Sequence, residues 1–423
     1  MSPMQRRDWL KTTAFGATLV LPFGNDLWAN DEPKKKLPIA AVVTTYGPNS
    51  HADVIVGKVL AGFRQDGGPG PDLKVVSMYA DQMPKNDLSR ALADRHGFRI
   101  CKTIDEAITL GTGQVQVAGV LSIGEHGDYP LTENTKQKMY PRRRLFDAIT
   151  KSFRKAGSVV PVFNDKHLSY NFADAKHMYD TAREMGIPLM AGSSVPVTWR
   201  RPAVALPMGC EIEAVIGVGY GGLEPYGFHA IEGLQCMIER RKGGESGVSS
   251  VQAVRGEAVW KAHREGRWSK ELLEAALAIM PKTREGKLEG KLEDKLRPDA
   301  PFYLFEHRDG LRSGVAMANG VARHFGFAAK LKGQAEPIAV WFELEEEKPY
   351  GHFAYLLQAI DQMIQTGKPS YPVERTLLTT GLIDSAMQSI AEDGKKLATP
   401  HLKIAYQPSD WPFANAKTNA KKN

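Results

Sequence analysis

The stretch around which the chain is organised reads Val159-Val160-Pro161-Val162-Phe163-Asn164-Asp165-Lys166-His167-Leu168. Its β-branched and aromatic run predicts a short buried strand, and apolar residues at helical spacing predict a helix over residues 172–185. A lysine and a histidine are therefore expected where a parallel strand delivers its last residues to a loop, the edge at which open α/β sheets bind ligands. The alternative interpretation is that Asp165 and Lys166 are solvated loop charges.

Strands alternate with helices over residues 37–195, which predicts an α/β fold that opens with a Rossmann-like, doubly wound parallel sheet able to bind a nucleotide. From residue 196 the pattern changes to successive strand-like runs and then long helices, so a second α/β domain with a mainly antiparallel sheet is expected over residues 196–408. A chain of 423 residues has room for two such domains. We expect a linker at 30–36 and a disordered tail at 409–423.

The composition argues against some classes of protein. The net charge of +7 comes without a long basic stripe, so nucleic-acid binding is not indicated. The run Arg142-Arg143-Arg144 is interpreted as a solvated helix face rather than a phosphate clamp. The three cysteines do not make a disulfide framework.

The N-terminus resembles a twin-arginine export signal over residues 1–29. Arg6-Arg7-Asp8-Trp9-Leu10-Lys11 precedes an apolar stretch at 12–23, and cleavage is expected near Ala29. The apolar stretch is too short to predict stable membrane insertion after cleavage. We therefore expect an exported protein, periplasmic or extracytoplasmic, with an uncleaved N-terminal anchor as the alternative. This route moves folded proteins, so a cofactor would be bound before export.

The turn after the first predicted strand holds four candidate cofactor contacts: Tyr46, Gly47, Asn49 and Ser50. Only Gly47 is present where the dinucleotide fingerprint G-x-G-x-x-G has three glycines. Asn49 and Ser50 can offer donors to a phosphate at the helix N-terminus, although Ser50 can equally be a helix cap. Asp81 follows the second predicted strand, in the position of the acid that binds the adenosine ribose in this fold.

The loop after the fourth predicted strand is polar. The candidate cofactor contacts in it are Gly124 and Glu125, and the candidate substrate contacts at this edge are His126, Asp128 and His167. His51 is expected beside His126 and His167, and imidazole groups converging with carboxylates can bind Zn²⁺. We favour hydrogen bonds to substrate hydroxyls over a metal site, because no ligand spacing is diagnostic.

Two later segments also carry candidate site residues. Trp199 and Arg200 are candidates for contact with a carboxylate or phosphate of the substrate, because arginine offers a bidentate fork. An interdomain salt bridge is the alternative for Arg200. His229 and Glu232 lie one turn apart on the same face of a predicted helix, and they form a second pair of ionisable groups.

The chain resembles the Gfo/Idh/MocA oxidoreductases over most of residues 37–408. Where the family has a strand followed by Glu-Lys-Pro, this chain has Asp165-Lys166-His167. Where the family has a glycine pair and then His-x-x-Asp, it has Gly221-Gly222 and then His229-Ala230-Ile231-Glu232. The missing glycine fingerprint is the main departure. The resemblance implies NAD or NADP as the cofactor, a sugar or sugar derivative as the substrate, an open C-terminal sheet and a homo-oligomer.

The resemblance also implies a catalytic group made of Lys166, His229, Asp165 and Glu232. A histidine titrates near neutrality and can remove the hydroxyl proton, while a lysine can hold the hydroxyl and stabilise the alkoxide. We assign these roles to His229 and Lys166, and they are reversed if burial removes the lysine proton. The alternatives are a metal-assisted lyase, isomerase or hydrolase on a scaffold that has lost its dinucleotide, or a non-catalytic carbohydrate-binding protein.

Overall fold

The structure, a computed structural model, describes residues 36–281 and 291–414. The predicted signal peptide and nearly all of the predicted linker lie outside the described residues. Within the described part of the chain, no helix is long and apolar enough to cross a membrane. The expectation of export therefore stays a prediction.

The N-terminal part is a six-stranded parallel sheet with helices between its strands. The strands are β1 (Leu37–Val43), β2 (Leu73–Ala80), β3 (Arg99–Ile100), β4 (Gly119–Ile123), β5 (Val162–Asp165) and β6 (Leu189–Gly192). The helices are α1 (His51–Ala61), α2 (Ser89–His96), α3 (Ile104–Thr109), α4 (Arg142–Ala156) and α5 (Phe172–Met185). The strand order β3-β2-β1-β4-β5-β6 confirms the predicted Rossmann-like sheet.

The strand order determines where a ligand can bind. Residues 39–43 of β1 are completely buried, as expected for a parallel strand with helices on both faces. The chain runs outward from β1 through β2 on one side and continues through β4 on the other, so the order reverses between β1 and β4. In doubly wound sheets the crevice at the carboxyl ends of two such strands binds ligands.

The C-terminal part is an eight-stranded open sheet. Its strands are β7 (Trp199–Arg201), β8 (Ile212–Gly219), β9 (Val248–Val254), β10 (Phe302–His307), β11 (Arg312–Met317), β12 (Phe325–Leu331), β13 (Ile338–Glu343) and β14 (Leu397–Ala398). The order is β14-β9-β10-β11-β8-β12-β13-β7, and every neighbouring pair is antiparallel except β8 and β11. The mainly antiparallel sheet is confirmed. The sequence pattern did not indicate β7 or β12, which are short or interrupted by glycine.

Helices cover both faces of this sheet. They are α6 (Pro225–Ile238), α7 (Glu257–Arg264), α8 (Lys270–Ala278), α9 (Leu292–Lys295), α10 (His352–Thr366) and α11 (Val373–Ala391), with 3-10 turns at Val195–Val197 and Pro400–Leu402. Val215 of β8 packs in one core with α6 and α11, and its neighbour Ile216 packs in another core with α7 and α8. Among the described residues, helices therefore lie on both faces of the sheet through which we expected subunits to associate. The homo-oligomer stays a prediction.

The chain end departs from the predicted disordered tail. Ser409 donates a hydrogen bond to the Ser370 carbonyl at 3.0 Å, and the Ala414 N–H donates to the Val197 carbonyl at 2.8 Å. The prediction of disorder from residue 409 is therefore wrong for residues 409–414, because backbone and side-chain donors there find partners in the folded protein. Residues 415–423 lie outside the described part of the chain.

Candidate active site

A cluster of buried charges lies at the carboxyl edge of β4 and β5. These strands are neighbours in the sheet, so the residues that follow them meet in space. Lys166, one residue after β5, places its Nζ 2.9 Å from Oε1 of Glu125, two residues after β4. The two side chains are only 5% and 7% exposed. Lys166 is thus part of a buried ion pair, and the interpretation of it as a solvated loop charge is wrong.

The backbone of Lys166 is held in an unusual conformation. Its φ of +53° lies in the left-handed region that non-glycine residues seldom adopt, and its N–H donates to the Gly192 carbonyl at 3.2 Å. The Asn164 amide adds bonds of 3.2 and 3.3 Å to the carbonyls of Asp165 and His167. Asn164 and Gly192 therefore fix the loop at a position where the resembling family has a rigid proline.

Arg142 is a site residue that the sequence analysis assigned to a solvated face. It begins α4, is completely buried and forms an ion pair with Oε2 of Glu125. Its side chain crosses Gly124 so closely that a Cβ there would lie 2.6 Å from Arg142 Cγ. Gly124 therefore serves to admit Arg142, and its absence of a side chain was the one sequence signal for this contact.

The two cations set the protonation of the cluster. Burial alone would raise the pKa of Glu125, but Lys166 and Arg142 outweigh burial and hold it well below its usual range. Burial would likewise lower the pKa of Lys166, but the charge of Glu125 raises it above the ordinary lysine value. The ammonium form of Lys166 is therefore favoured, which supports the assignment of the base to His229 and not to the lysine.

Asp165 lies behind the cluster and orients His51. Its Oδ2 is 2.7 Å from Nδ1 of His51, the first residue of α1, and the carboxylate is completely buried. The rings of His51 and His126 lie 5.4 Å apart, so these two histidines do meet at the predicted edge. The contact between His51 and Asp165 spans the crevice from β1 to β5.

His167 is buried and lies against the carboxylate of Glu224. Its Nε2 lies 2.7 Å from Oε1 of Glu224, and its ring packs on Phe228 at 5.1 Å. His167 is only 2% exposed, and its direct contact with substrate stays a prediction. Glu224, which was not among the candidate site residues, is the partner of His167 at this edge.

His229 lies on α6, near enough to the cluster for the charges of Lys166 and Glu125 to act on it. It lies in the first turns of α6, with its ring 5.7 Å from that of Phe325 and 6.2 Å from that of Tyr226. Its Nδ1 has no hydrogen-bond partner among the described residues. Burial, followed by the positive charge of Lys166, holds the pKa of His229 well below the ordinary histidine value. The imidazole is therefore neutral at pH 7 and able to accept a proton.

Glu232 sits one turn further along α6 but belongs to a different environment. It is 1% exposed and accepts hydrogen bonds from the Ser193 hydroxyl and from the Ser193 N–H at 3.1 Å. Burial raises its pKa to about 7. Glu232 also packs against Gly192, whose carbonyl holds Lys166. These contacts join Glu232 to the loop that holds Lys166, and its predicted catalytic role stays a prediction.

At the predicted phosphate site, the start of α1, side chains of the protein accept hydrogen bonds from nearby backbone N–H groups. Ser50 is a helix cap, accepting the Asp53 N–H at 3.3 Å, and the Asp53 carboxylate accepts the Asn49 N–H at 2.9 Å. Tyr46 is completely buried in the core, and a Cβ on Gly47 would lie 3.4 Å from the Asn86 amide. A pyrophosphate at this helix N-terminus would therefore compete with internal acceptors for the N–H groups of Asp53 and Asn49.

Asp81 lies directly after β2, where the ribose-binding acid was predicted. Its carboxylate accepts hydrogen bonds from Tyr79 at 2.9 Å, from Tyr129 at 2.7 Å and from Arg144 at 2.6 Å. Arg144 is 56% exposed, in agreement with the interpretation of the arginine run as a solvated face. These three donors take most of the acceptor positions of the carboxylate, so a ribose diol would share Asp81 with them.

Two predicted substrate contacts lie away from the cluster. Trp199 is 6% exposed with its ring 5.2 Å from that of Tyr355. The Arg200 guanidinium donates to the Pro196 carbonyl at 3.0 Å and stacks on Phe413 at 4.2 Å. Both predicted contacts are wrong, and so is the interdomain salt bridge, because aromatic rings and a backbone carbonyl surround Arg200 and no carboxylate does.

His126 and Asp128 remain at the surface of the site. Both are exposed, and the backbone of Asp128 exchanges two hydrogen bonds of 2.9 Å with the Gln82 side chain. Among residues 36–281 and 291–414, no three His, Cys, Asp or Glu side chains are grouped to hold a metal ion. A cavity of about 530 Å³ opens beside the cluster, and Glu125, His126 and Glu224 line it.

The comparisons with known proteins rest on structure alone, since no family model and no curated protein matches the sequence. GenD2 from gentamicin A biosynthesis, solved in complex with NAD, is 14% identical with a TM-score of 0.54, covering 88% of this chain and 98% of its own. Scyllo-inositol dehydrogenase from Lactobacillus casei (10% identical, TM-score 0.51) and myo-inositol dehydrogenase from Corynebacterium glutamicum (13%, 0.50) each cover 86% of this chain and 98% of their own.

This chain has the fold of the Gfo/Idh/MocA dehydrogenases. Its order of a parallel β3-β2-β1-β4-β5-β6 sheet followed by a mainly antiparallel sheet is the one that the resemblance led us to expect. At these identities the likeness establishes the Gfo/Idh/MocA fold, and the chemistry has to be argued from the side chains of this chain.

Proposed function

We propose that the protein is an oxidoreductase that transfers hydride between tightly held NAD or NADP and a hydroxyl group of a sugar or sugar derivative. The observation that carries the proposal is a buried ammonium, Lys166, at the carboxyl edge of the parallel sheet, whose charge acts on an imidazole, His229, that has an Nδ1 without a partner among the described residues. The fold supports it, because two of its solved neighbours are inositol dehydrogenases and a third, GenD2, was solved with NAD.

The two side chains divide the work on a hydroxyl group. His229 takes the hydroxyl proton, because it is neutral at pH 7 and has a free nitrogen. Lys166 donates a hydrogen bond to the same oxygen and stabilises the alkoxide that forms, and Glu125 with Arg142 keeps the ammonium in place. A bound nicotinamide supplies the acceptor, or in reverse the donor, of the hydride.

The residues at the edge fit one end of a dinucleotide better than its middle. Asp81 lies in the position of the ribose-binding acid. A ribose there would share the carboxylate with Tyr129 and Arg144. The pyrophosphate would compete at the start of α1 with Ser50 for the Asp53 N–H and with the Asp53 carboxylate for the Asn49 N–H. Tight retention of the cofactor is consistent with loading before the chain folds shut around it.

The internal hydrogen bonds of the Asp53 and Asn49 N–H groups favour a second candidate, an acid–base enzyme without a dinucleotide. In this case His229 and Lys166 would move protons of a carbohydrate, in a lyase or isomerase reaction, on a scaffold whose crevice is spanned by the contact between His51 and Asp165. The same two residues serve both candidates, so only the presence of the cofactor separates them.

The experiment that separates them is an assay of the bound small molecules. Protein purified under native conditions after cytoplasmic folding is denatured, and the released NAD(H) and NADP(H) are measured against protein concentration. Stoichiometric dinucleotide supports the oxidoreductase. No dinucleotide, with no binding when NAD or NADP is added back, overturns it in favour of the second candidate.

Substitutions then test the roles of the two side chains. His229→Ala should lower kcat by about 10²- to 10⁴-fold, the usual contribution of a general base, without changing the dinucleotide content. His177→Ala is the matched control, because His177 is a surface histidine, 40% exposed and paired with Asp147. Full activity of His229→Ala with an active control would remove His229 from the mechanism.

We also propose export by the twin-arginine route, on the sequence of residues 6–11. Arg6→Lys with Arg7→Lys should retain the full-length chain in the cytoplasm, while Lys11→Arg serves as a control that keeps both arginines. Cell fractionation with detection of the chain length measures both. Equal export of the twin substitution would overturn the proposal.

A further inference from the structure

The cavity beside the charge cluster has an unusual lining. One wall is a hairpin over residues 130–140, in which Leu131 pairs with Lys138 and the Thr132 N–H donates to the Gln137 carbonyl at 2.9 Å. The C-terminal end of α11, with Met387 and Ile390, lines the opposite part. Its volume of about 530 Å³ lies within the range of small-molecule sites.

The hairpin is anchored, so its side chains are preset. Gln137 is 2% exposed, and its amide donates to the Tyr170 carbonyl at 2.5 Å. The two residues that flank it, Lys136 and Lys138, both line the cavity. A buried glutamine between two lysines therefore fixes the side of the hairpin on which the ammonium groups lie.

These ammonium groups have no counter-ion in the described part of the chain. Lys136 and Lys138 form no ion pair with any described carboxylate, whereas other surface lysines do, as Lys176 does with Asp180 at 2.6 Å. The two acids that share the cavity are already engaged: Glu125 with Lys166 and Arg142, and Glu224 with His167. The rim of the cavity is therefore a place of unbalanced positive charge, which attracts an anion.

The rest of the lining suits a carbohydrate. Glu125 and Glu224 keep acceptor capacity for sugar hydroxyls, since a carboxylate has about four acceptor positions. Leu131, which is 54% exposed, and Met387 give apolar contact for the C–H face of a ring. We propose that this cavity binds an acidic sugar, with its anionic group between Lys136 and Lys138 and its hydroxyls towards Glu125 and Glu224. The proposal rests on the proposed function only for the substrate being a carbohydrate.

The test is binding by the full chain, with and without added NAD, measured by thermal shift and by titration calorimetry. The probes are D-glucuronate, D-galacturonate, glucose 6-phosphate and glucose 6-sulfate, each against neutral glucose or galactose. At least one anionic sugar should bind at least tenfold more tightly than its neutral partner. A uronate as the preferred probe identifies a carboxylate, and a phosphate or sulfate ester identifies that group instead.

Variants separate the lysines from general charge effects. Lys136→Gln and Lys138→Gln should each weaken the preferred probe by roughly three- to fivefold, and the double variant by about tenfold or more, as expected for half-exposed ion pairs. Lys136→Arg with Lys138→Arg should keep binding. The control Lys330→Gln with Lys368→Gln removes two exposed lysines that do not line the cavity and should change nothing.

Several outcomes overturn the proposal. They are binding of no anionic sugar, equal binding of neutral and anionic sugars, and unchanged binding by the double glutamine variant. None of these depends on turnover or on dinucleotide content. A protein without NAD that still binds an acidic sugar would overturn the oxidoreductase and keep this site, and a protein with NAD that binds only neutral sugars would do the reverse.

Discussion

Two glutamates, one in a loop and one on a helix, show how differently this fold treats a buried carboxylate. Glu125, after β4, lies between the cations Lys166 and Arg142, and its pKa is held far below the ordinary value. Glu232, on α6, is as deeply buried, yet the donors bonded to it are the neutral hydroxyl and N–H of Ser193, and burial raises its pKa to about 7.

The difference shows that burial does not by itself decide protonation. Both carboxylates lose water, and the charge of the nearest partners determines which form is favoured. The region of Glu125 is a set of fixed charges that holds an ammonium ready for chemistry. The region of Glu232 is nearly neutral and lies behind that of Glu125. Gly192 joins the two regions, because it touches Glu232 and its carbonyl accepts a hydrogen bond from the Lys166 N–H.

The largest effect is expected from removing the first carboxylate. Glu125→Ala leaves the ammonium of Lys166 and the guanidinium of Arg142 buried without a counter-ion, and it should lower the free energy of unfolding by about 3–5 kcal/mol. Urea denaturation at pH 7 measures the loss. Glu232→Gln is the control, and it should lose no more than about 1 kcal/mol. Equal losses would mean that the two regions do not differ in charge balance.

The pH dependence of the two glutamates should have opposite signs. The pKa of Glu232 is raised from 4.5 to about 7 on folding, so its contribution is fully present below pH 4.5 and is lost as the pH rises to about 7. Between pH 4.5 and 8 the wild type should lose about 3 kcal/mol more than Glu232→Gln. Comparison with this variant removes the titration of the buried histidines, which both proteins share.

Glu125 should behave the other way. Its pKa is lowered on folding, so its contribution is present above pH 4.5 and is lost as the pH falls below that value. Denaturation series of the wild type and Glu125→Gln from pH 3 to 6 should therefore converge at the acid end. Parallel curves would contradict the depressed pKa of Glu125.

A smaller effect is expected when one of the two cations is removed. Lys166→Met should lower the free energy of unfolding by about 2 kcal/mol, because Glu125 keeps Arg142 as its partner. Lys166→Arg, which keeps the charge, is the matched control. A loss from Lys166→Met as large as that from Glu125→Ala would show that Arg142 does not satisfy the carboxylate alone.

The smallest effect is expected on the neutral side. Ser193→Ala removes one hydroxyl donor from Glu232 and should lower the free energy of unfolding by about 1 kcal/mol. It should also raise the pKa of Glu232 further. The pH range over which the stabilising contribution of Glu232 is lost then moves upward. An unchanged window, measured by denaturation between pH 6 and 9, would remove Ser193 as the partner that sets this pKa.

The sequence predicted the elements of the site better than its contacts. The strand before Asp165, the position of Asp81 after β2 and the helix that carries His229 all appear as expected, since each follows from local periodicity. The pairing of Arg142 with Glu125 and of Arg144 with Asp81 did not follow, because an arginine run at a helix start has no local feature that distinguishes a buried side chain from a solvated one.

The sequence by itself determined the alternation of strands and helices, and with it the parallel sheet and the edge to which Lys166 is delivered. Only the tertiary structure decided which charges meet there, that the N–H groups of Asp53 and Asn49 are bonded within the chain, and that the pKa of Lys166 is raised while that of His229 is lowered. The physical reason is range. Periodicity is a property of neighbours along the chain, whereas a pKa depends on burial and on partners that the fold brings together from distant segments.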